Sequence, residues 1–232
     1  MKIPNLQPRL QELKALIPEG ACLADVGTDH GYIPALLLRE GKIKGAIASD
    51  IAAAPLAHAR KTAELCGVAK QMELRLSDGL AAYAPGEADC YLIAGMGGET
   101  ILSILEKAPW LKRENALLIL QPQTKQELLR SWIATNGYII LKERLVLDRT
   151  MLYTVLIVQP GESPPLSAEE LHIGVGLDAD PLYRLHLKRL IDRTEKILEG
   201  LRLSAGHEND AQREQAERLL FALTKRMKED EV

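Results

Sequence analysis

Three apolar runs in succession end on an aspartate, and the residues around those ends are the ones whose types and spacing could do chemistry. They are Asp25-Val26-Gly27-Thr28-Asp29-His30-Gly31-Tyr32, Ser49-Asp50-Ile51 and Ser77-Asp78-Gly79. A fourth run opens into Gly95-Met96-Gly97-Gly98 and a fifth closes on Gln121-Pro122. Packing alone would not set acids at three consecutive strand ends. Carboxylates there offer charge-assisted acceptors for hydroxyls and amines, and glycines let a backbone approach a ligand where a Cβ would clash. The first turn departs from the dinucleotide fingerprint G-x-G-x-x-G, because Asp29 stands at the middle glycine. An acid in that turn also opposes a pyrophosphate, which favours bare amides at a helix N-terminus.

A cofactor carrying positive charge tolerates that acid. S-adenosylmethionine, with its sulfonium and α-ammonium, is such a cofactor. On this reading Asp25 receives the amino-acid end and Asp50 both ribose hydroxyls. Asp78 accepts from the adenine amino group, with the Gly79 amide facing a ring nitrogen. Gly27, His30, Ile51, Gly95 and Met96 complete the expected cofactor contacts. Asp50 would serve a nicotinamide cofactor equally well, so it does not discriminate. Asp29 could also cap the following helix, Tyr32 could pack at the helix start, and His30 could touch the cofactor or cap. The Gly95-Met96-Gly97-Gly98 run reads as the wall beside the transferable methyl. It lacks the Asn/Asp-Pro-Pro-Tyr/Phe tetrad that many amine-methylating enzymes carry there.

Positioning these residues requires alternating strands and helices. Leu6, Leu10, Leu13 and Ile17 keep helical spacing, stopped by Pro18-Glu19-Gly20. Strands are expected over 21–26, 45–50, 72–76, 89–94 and 116–120. Helices are expected between them, with the last over 125–134. Tyr138 to Leu147 and Met151 to Val158 then read as a hairpin about Asp148-Arg149-Thr150. Five β/α alternations closed by an antiparallel hairpin predict an α/β fold, a Rossmann-like class I methyltransferase sheet of order 3-2-1-4-5-7-6. Pro160 to Pro165 reads as a linker. Beyond it, Leu182 to Leu201 and Ala216 to Met227 mark two amphipathic helices broken near Gly206, a coiled-coil-like antiparallel helical hairpin. The expected domains are 1–161 for the cofactor and 162–232 for the hairpin.

The whole-chain balance is compatible with this plan. The 232 residues are 47% hydrophobic, enough for a full core, and 4% aromatic, too few for an extended stacking surface. Net charge is −3, yet 184–228 holds 11 Lys and Arg against 7 Asp and Glu. A basic tail on an acidic body suits contact with nucleic acid, as it suits ordinary solvated helix faces. Cys22 and Cys90 read as buried thiols, and none of the three cysteines forms a C-x-x-C. The five histidines are scattered without paired spacing, so no metal site is expected. The polar opening and the lack of a long apolar run predict no signal peptide, no membrane span and a cytoplasmic protein.

Taken together, Asp25-x-Gly27-Thr28-Asp29-His30-Gly31-Tyr32, Gly45-Ala46-Ile47-Ala48-x-Asp50, Ser77-Asp78-Gly79-Leu80, Ile93-Ala94-Gly95-Met96-Gly97-Gly98 and Ile119-Leu120-Gln121-Pro122 resemble the bacterial tRNA (adenine-22-N1)-methyltransferase family. The resemblance runs from the first helix to the hairpin, and the helical tail fits as well. Asp50 departs from the glutamate of many members. The resemblance implies methyl transfer from S-adenosylmethionine to N1 of adenine 22 in tRNA. It makes Asp29 the carboxylate facing the charged ring and Tyr32 the stacking residue. Arg184, Lys188, Arg189 and Arg193 in the tail would hold RNA, or face a second subunit, though a monomer is the expectation. Two other readings stay open: a methyltransferase acting on protein or a small molecule, and a non-catalytic RNA-binding module.

Overall fold

Four of the runs, Cys22–Val26 (β1), Gly45–Asp50 (β2), Cys90–Met96 (β4) and Leu117–Pro122 (β5), are apolar on both sides, as strands covered on two faces must be. Met72–Leu76 (β3) inserts Glu73 and Arg75 between its apolar residues and forms an edge of the sheet. Tyr138–Asp148 (β6) and Met151–Pro160 (β7) form the hairpin, turning through Arg149 at φ 54°. The computed structural model describes residues 5–113, 116–203 and 209–229. Its strand order is β3-β2-β1-β4-β5-β7-β6, with β7 antiparallel to both β5 and β6. This is the order expected from the terminal hairpin.

Pro8–Leu16 (α1), Tyr32–Arg39 (α2) and Ala53–Cys66 (α3) supply Leu13, Leu37 and Ala59 to one face of the sheet, against Leu23, Leu92 and Ile119. Gly98–Glu106 (α4) and Gln126–Thr135 (α5) supply Ile101, Leu105 and Ile133 to the other face, against Ala24, Ile93 and Leu120. The alternation of strand neighbours between these two sets follows from the two-residue period of the strand. An ionic contact is buried in this unit: Arg130 of α5 donates to Glu143 of β6 at 2.9 and 2.8 Å, with both side chains fully enclosed.

Parallel register brings the strand ends level. Val26 lies abreast of Ser49 and Ile93, and Asp50 abreast of Leu76. The turns after β1, β2, β3 and β4 therefore share one edge, where open α/β sheets bind ligands.

The chain divides into two compact units, Met1–Pro164 and Pro165–Val232. The second holds Ala168–Ile173 (α6), Tyr183–Leu203 (α7) and Asp210–Glu229 (α8), so among the described residues three helices stand where the spacing predicted two. At six residues α6 is too short to show a helical repeat. Its signature was the capping box: the Ser167 hydroxyl accepts from the Glu170 amide, and the Glu170 carboxylate accepts from the Ser167 amide. Leu187 and Leu198 of α7 and Leu223 of α8 are buried where the pair packs. The predicted break at Gly206 lies outside the described residues. Among those residues no helix is long and apolar enough to cross a membrane.

Candidate functional site

Two cavities open along the strand-end edge, and Gly27 borders both. The first, about 470 Å³, is lined by Asp25, Asp29, His30, Tyr32 and Gly95, with Arg9 and Gln123. The second, about 440 Å³, is lined by Asp50, Ile51, Asp78, Gly79 and Met96. Every cofactor and catalytic residue expected from the sequence thus borders one of two adjoining spaces.

The β1–α2 turn is built by local hydrogen bonds. The amides of Gly27 and Thr28 both donate to the Ser49 carbonyl at 2.8 Å, tying this turn to β2. Gly27 has φ +77°, and a Cβ there would fall 2.0 Å from the Met96 methyl. The buried Thr28 hydroxyl accepts from the Gly31 amide at 3.1 Å. Gly31, at φ +63°, is the residue that caps α2, and no side chain does so. The capping alternatives for Asp29 and His30 therefore fail: the cap position belongs to a glycine, and no side chain accepts from the first-turn amides of α2. Asp29 instead projects outward with 76% of its side chain exposed, and the His30 Nε2 lies 3.3 Å from its carboxylate. Burial pushes the Asp25 carboxyl up from 3.8 to about 6, against a smaller lowering by its hydrogen bond with Thr28.

In the second cavity, the Asp50 carboxylate accepts from the Ala52 amide at 2.8 Å, which fixes its orientation and leaves its other oxygen open to further donors. Ile51 beside it is 70% exposed, an apolar side chain presented to the cavity. Asp78 is exposed and lies 3.5 Å from the Lys107 ammonium. Ser77 donates to the Gly79 carbonyl at 2.9 Å.

The glycine run after β4 divides its work. Gly95 sits at φ +78° where the β4–β5 register slips by one residue, a bulge that turns the strand end toward the first cavity. Gly98 does something the sequence reading did not assign. A Cβ there would meet the Lys125 and Thr124 carbonyl oxygens at 2.5 and 2.6 Å, so it locks the turn after β4 against the turn after β5.

Other residues escaped the sequence reading. Arg9 of α1 donates to the side-chain Oε1 of the buried Gln121 at 2.8 Å and lies 5.4 Å over the Tyr153 ring. It was hidden among ordinary helix charges. Gln123 is anchored through its amide to the Met96 carbonyl at 2.8 Å and borders the first cavity. Its signal was its place just beyond a strand end. The histidines are not all scattered either: α3 brings His58 against His30, and donor atoms of Asp29, His30 and His58 lie within 4.8 Å of one another. Cys22 is only half-buried, unlike Cys90, although each opens its strand.

In the second unit, Arg184, Lys188, Arg189 and Arg193 all lie on α7. Arg189 and Arg193 share a shallow groove with Lys196 and Asp192. Several cations of α8 are paired locally: Arg213 with Asp210, Arg218 with Glu214, and Arg226 with Glu169.

A model of the methyltransferase domain matches residues 6–156. The Bacillus subtilis (strain 168) tRNA (adenine(22)-N(1))-methyltransferase is 35% identical over 158 residues, covering 68% of this chain and 66% of that protein. The sequence match thus spans about two thirds of that relative's length. A Streptococcus pneumoniae protein, named for the m1A22 reaction on tRNA and solved with S-adenosyl-L-methionine, is similar at a TM-score of 0.85 and 29% identity, over 96% of this chain and 100% of its own. M. capricolum TrmK, solved with S-adenosyl-homocysteine, is similar at a TM-score of 0.80 and 28% identity, over 96% of this chain and 98% of its own. With the domain model matched over more than half its length, the chain belongs to the methyltransferase-domain family, and within it to the tRNA (adenine-22-N1)-methyltransferases.

Proposed function

We infer that this chain transfers a methyl group from S-adenosylmethionine to N1 of adenine 22 in tRNA. The observation that carries the reading is the pair of cavities meeting at Gly27, with carboxylates at the points where the cofactor offers donors. The fit is chemical as well as steric. Asp25 suits an ammonium, Asp50 a pair of ribose hydroxyls and Asp78 an exocyclic amine, while Ile51 offers apolar surface to a ring. A pyrophosphate would meet Asp25 and Asp29 instead of bare amides. Met96 lines the second space with its methyl close to Gly27, and its unbranched thioether can turn aside.

When bound, S-adenosylmethionine supplies an electrophilic methyl on a sulfonium. Adenine N1 carries a free lone pair near neutral pH, so no side chain has to remove a proton first. The chain's work is alignment. N1 lies on the pairing edge, so the adenine must be unpaired and turned into the first cavity. The Tyr32 ring stacks on it. The Asp29 carboxylate faces the ring as positive charge grows there and accepts from the N6 amine. The transfer calls for no metal, and every residue named comes from one chain, so a monomer suffices. A tRNA substrate implies work in the cytoplasm.

The second unit holds the RNA. Arg184, Lys188, Arg189 and Arg193 are the phosphate contacts, which position a substrate without reading its sequence. On this assignment residues 1–161 carry the chemistry and 162–232 the grip.

Two side chains give measurable consequences. Asp25 must be ionised to pair with the cofactor ammonium. Cofactor affinity is therefore at its plateau above pH 6 and falls as pH drops through about 6, the value to which burial raises this carboxyl. The limiting fall is about tenfold per pH unit. Calorimetry from pH 5 to 8 checks this, and Asp25→Asn should flatten the profile. Asp29→Asn should lower the single-turnover rate about tenfold and leave cofactor affinity unchanged; solvent around an exposed carboxylate keeps the loss below that of an enclosed one. An unchanged rate would remove Asp29 from the chemistry.

The function itself is tested by incubating the purified protein with labelled S-adenosylmethionine and bulk tRNA. Label recovered as 1-methyladenosine is the expected result. Label in protein or a small metabolite, or cofactor binding with no transfer, would contradict it.

A further inference from the structure

Three aromatic rings lie face to face beside the first cavity. The His30 imidazole is the middle one, 5.0 Å from the Tyr32 ring at 10° and 4.8 Å from the His58 ring at 12°. Tyr32 and His30 line the cavity, whereas His58, on the second turn of α3, lies outside it and is exposed. The row therefore leads from the cavity to the protein surface.

We propose that Tyr32, His30 and His58 form a stacking ladder for unpaired nucleobases, with the target adenine at its inner end and a neighbouring base of the same RNA on the outer face of His58. The proposal rests on the tRNA reading above. Turning one base out of a stack strips its neighbours of a partner, and an exposed ring returns that contact. Ring stacking accepts any base, since every base has a π-face. Lys61, three residues along α3 from His58 and so on the same side of the helix, is exposed and offers a charge to the phosphate of that neighbour. A divalent cation on Asp29, His30 and His58 is the competing use of these side chains. The near-parallel rings speak against it, because their in-plane lone pairs point alongside one another and not toward a common point.

The test uses the full chain and tRNA carrying 2-aminopurine at each neighbour of the target adenine in turn. Binding should quench the probe on one side. His58→Ala should remove that quench and raise KM for tRNA about tenfold, leaving kcat and cofactor affinity unchanged. His58→Phe should restore both quench and KM. His58 is exposed on a helix, where alanine is tolerated, so these variants will fold. An unchanged quench and KM in His58→Ala would overturn the ladder while the enzyme still methylates tRNA. So would tight zinc binding that His58→Ala abolishes, with the wild-type quench lost in chelator. A wild-type chain that methylates no tRNA would overturn the functional reading and the ladder with it.

Discussion

Replacing Asp50 with alanine is expected to weaken S-adenosylmethionine binding by about 2–3 kcal/mol, the scale for losing hydrogen bonds to a charged acceptor. The backbone makes this a clean substitution. Asp50 ends β2 with its register to β3 set by main-chain pairing, and its carboxylate is oriented by the Ala52 amide. Removing the carboxylate leaves the strand pairing in place and takes away the cofactor's acceptor together with the bond to the Ala52 amide. Asp50→Glu should retain most of the affinity, because a longer arm reaches the same pair of hydroxyls from the same strand end. Calorimetric titration decides it: an Asp50→Ala affinity equal to wild type would take this residue out of the cofactor site.

The largest effect on stability is expected at Glu143. Its carboxylate is fully enclosed and takes both donors from an equally enclosed Arg130. Glu143→Ala would leave a guanidinium in the interior without its counter-charge, a loss of about 3–5 kcal/mol. Double replacement by apolar residues of similar size should recover much of that, since desolvating the pair cancels most of its attraction. Urea unfolding of the two variants measures both numbers. A Glu143→Ala loss under about 1 kcal/mol would mean water or another group solvates Arg130. The pair joins α5 to the edge strand β6, and so steadies the hairpin that closes the sheet beyond β5.

What the sequence disclosed and what it hid follow from the range of the interactions involved. Strand ends were legible because Asp25, Asp50 and Asp78 each close a local apolar run, and parallel register then sets their turns on one edge without further information. The hairpin was legible for the same reason: two β-rich runs flank a short polar turn. Arg9 and His58 were not, because each meets its partner through packing between elements distant in sequence. Arg9 meets Gln121 across 112 positions, and nothing near Arg9 distinguishes it from a solvated helix charge. The role of Asp29 as a helix cap was plausible locally and failed because the helix begins at Tyr32, which puts Gly31 at the cap position. Helix α6 was missed because six residues carry no period, although its capping box stood in the sequence.

The central claim is that the acid-lined edge presents a methyl to the pairing edge of one adenine. Its most direct test is the position of the modification on a single tRNA transcript after incubation with the protein and S-adenosylmethionine, read by mass spectrometry of nuclease fragments. The account predicts one 1-methyladenosine, at position 22, and none in a transcript carrying guanine there. Methylation at another base, or at N6 of the same adenine, would contradict it.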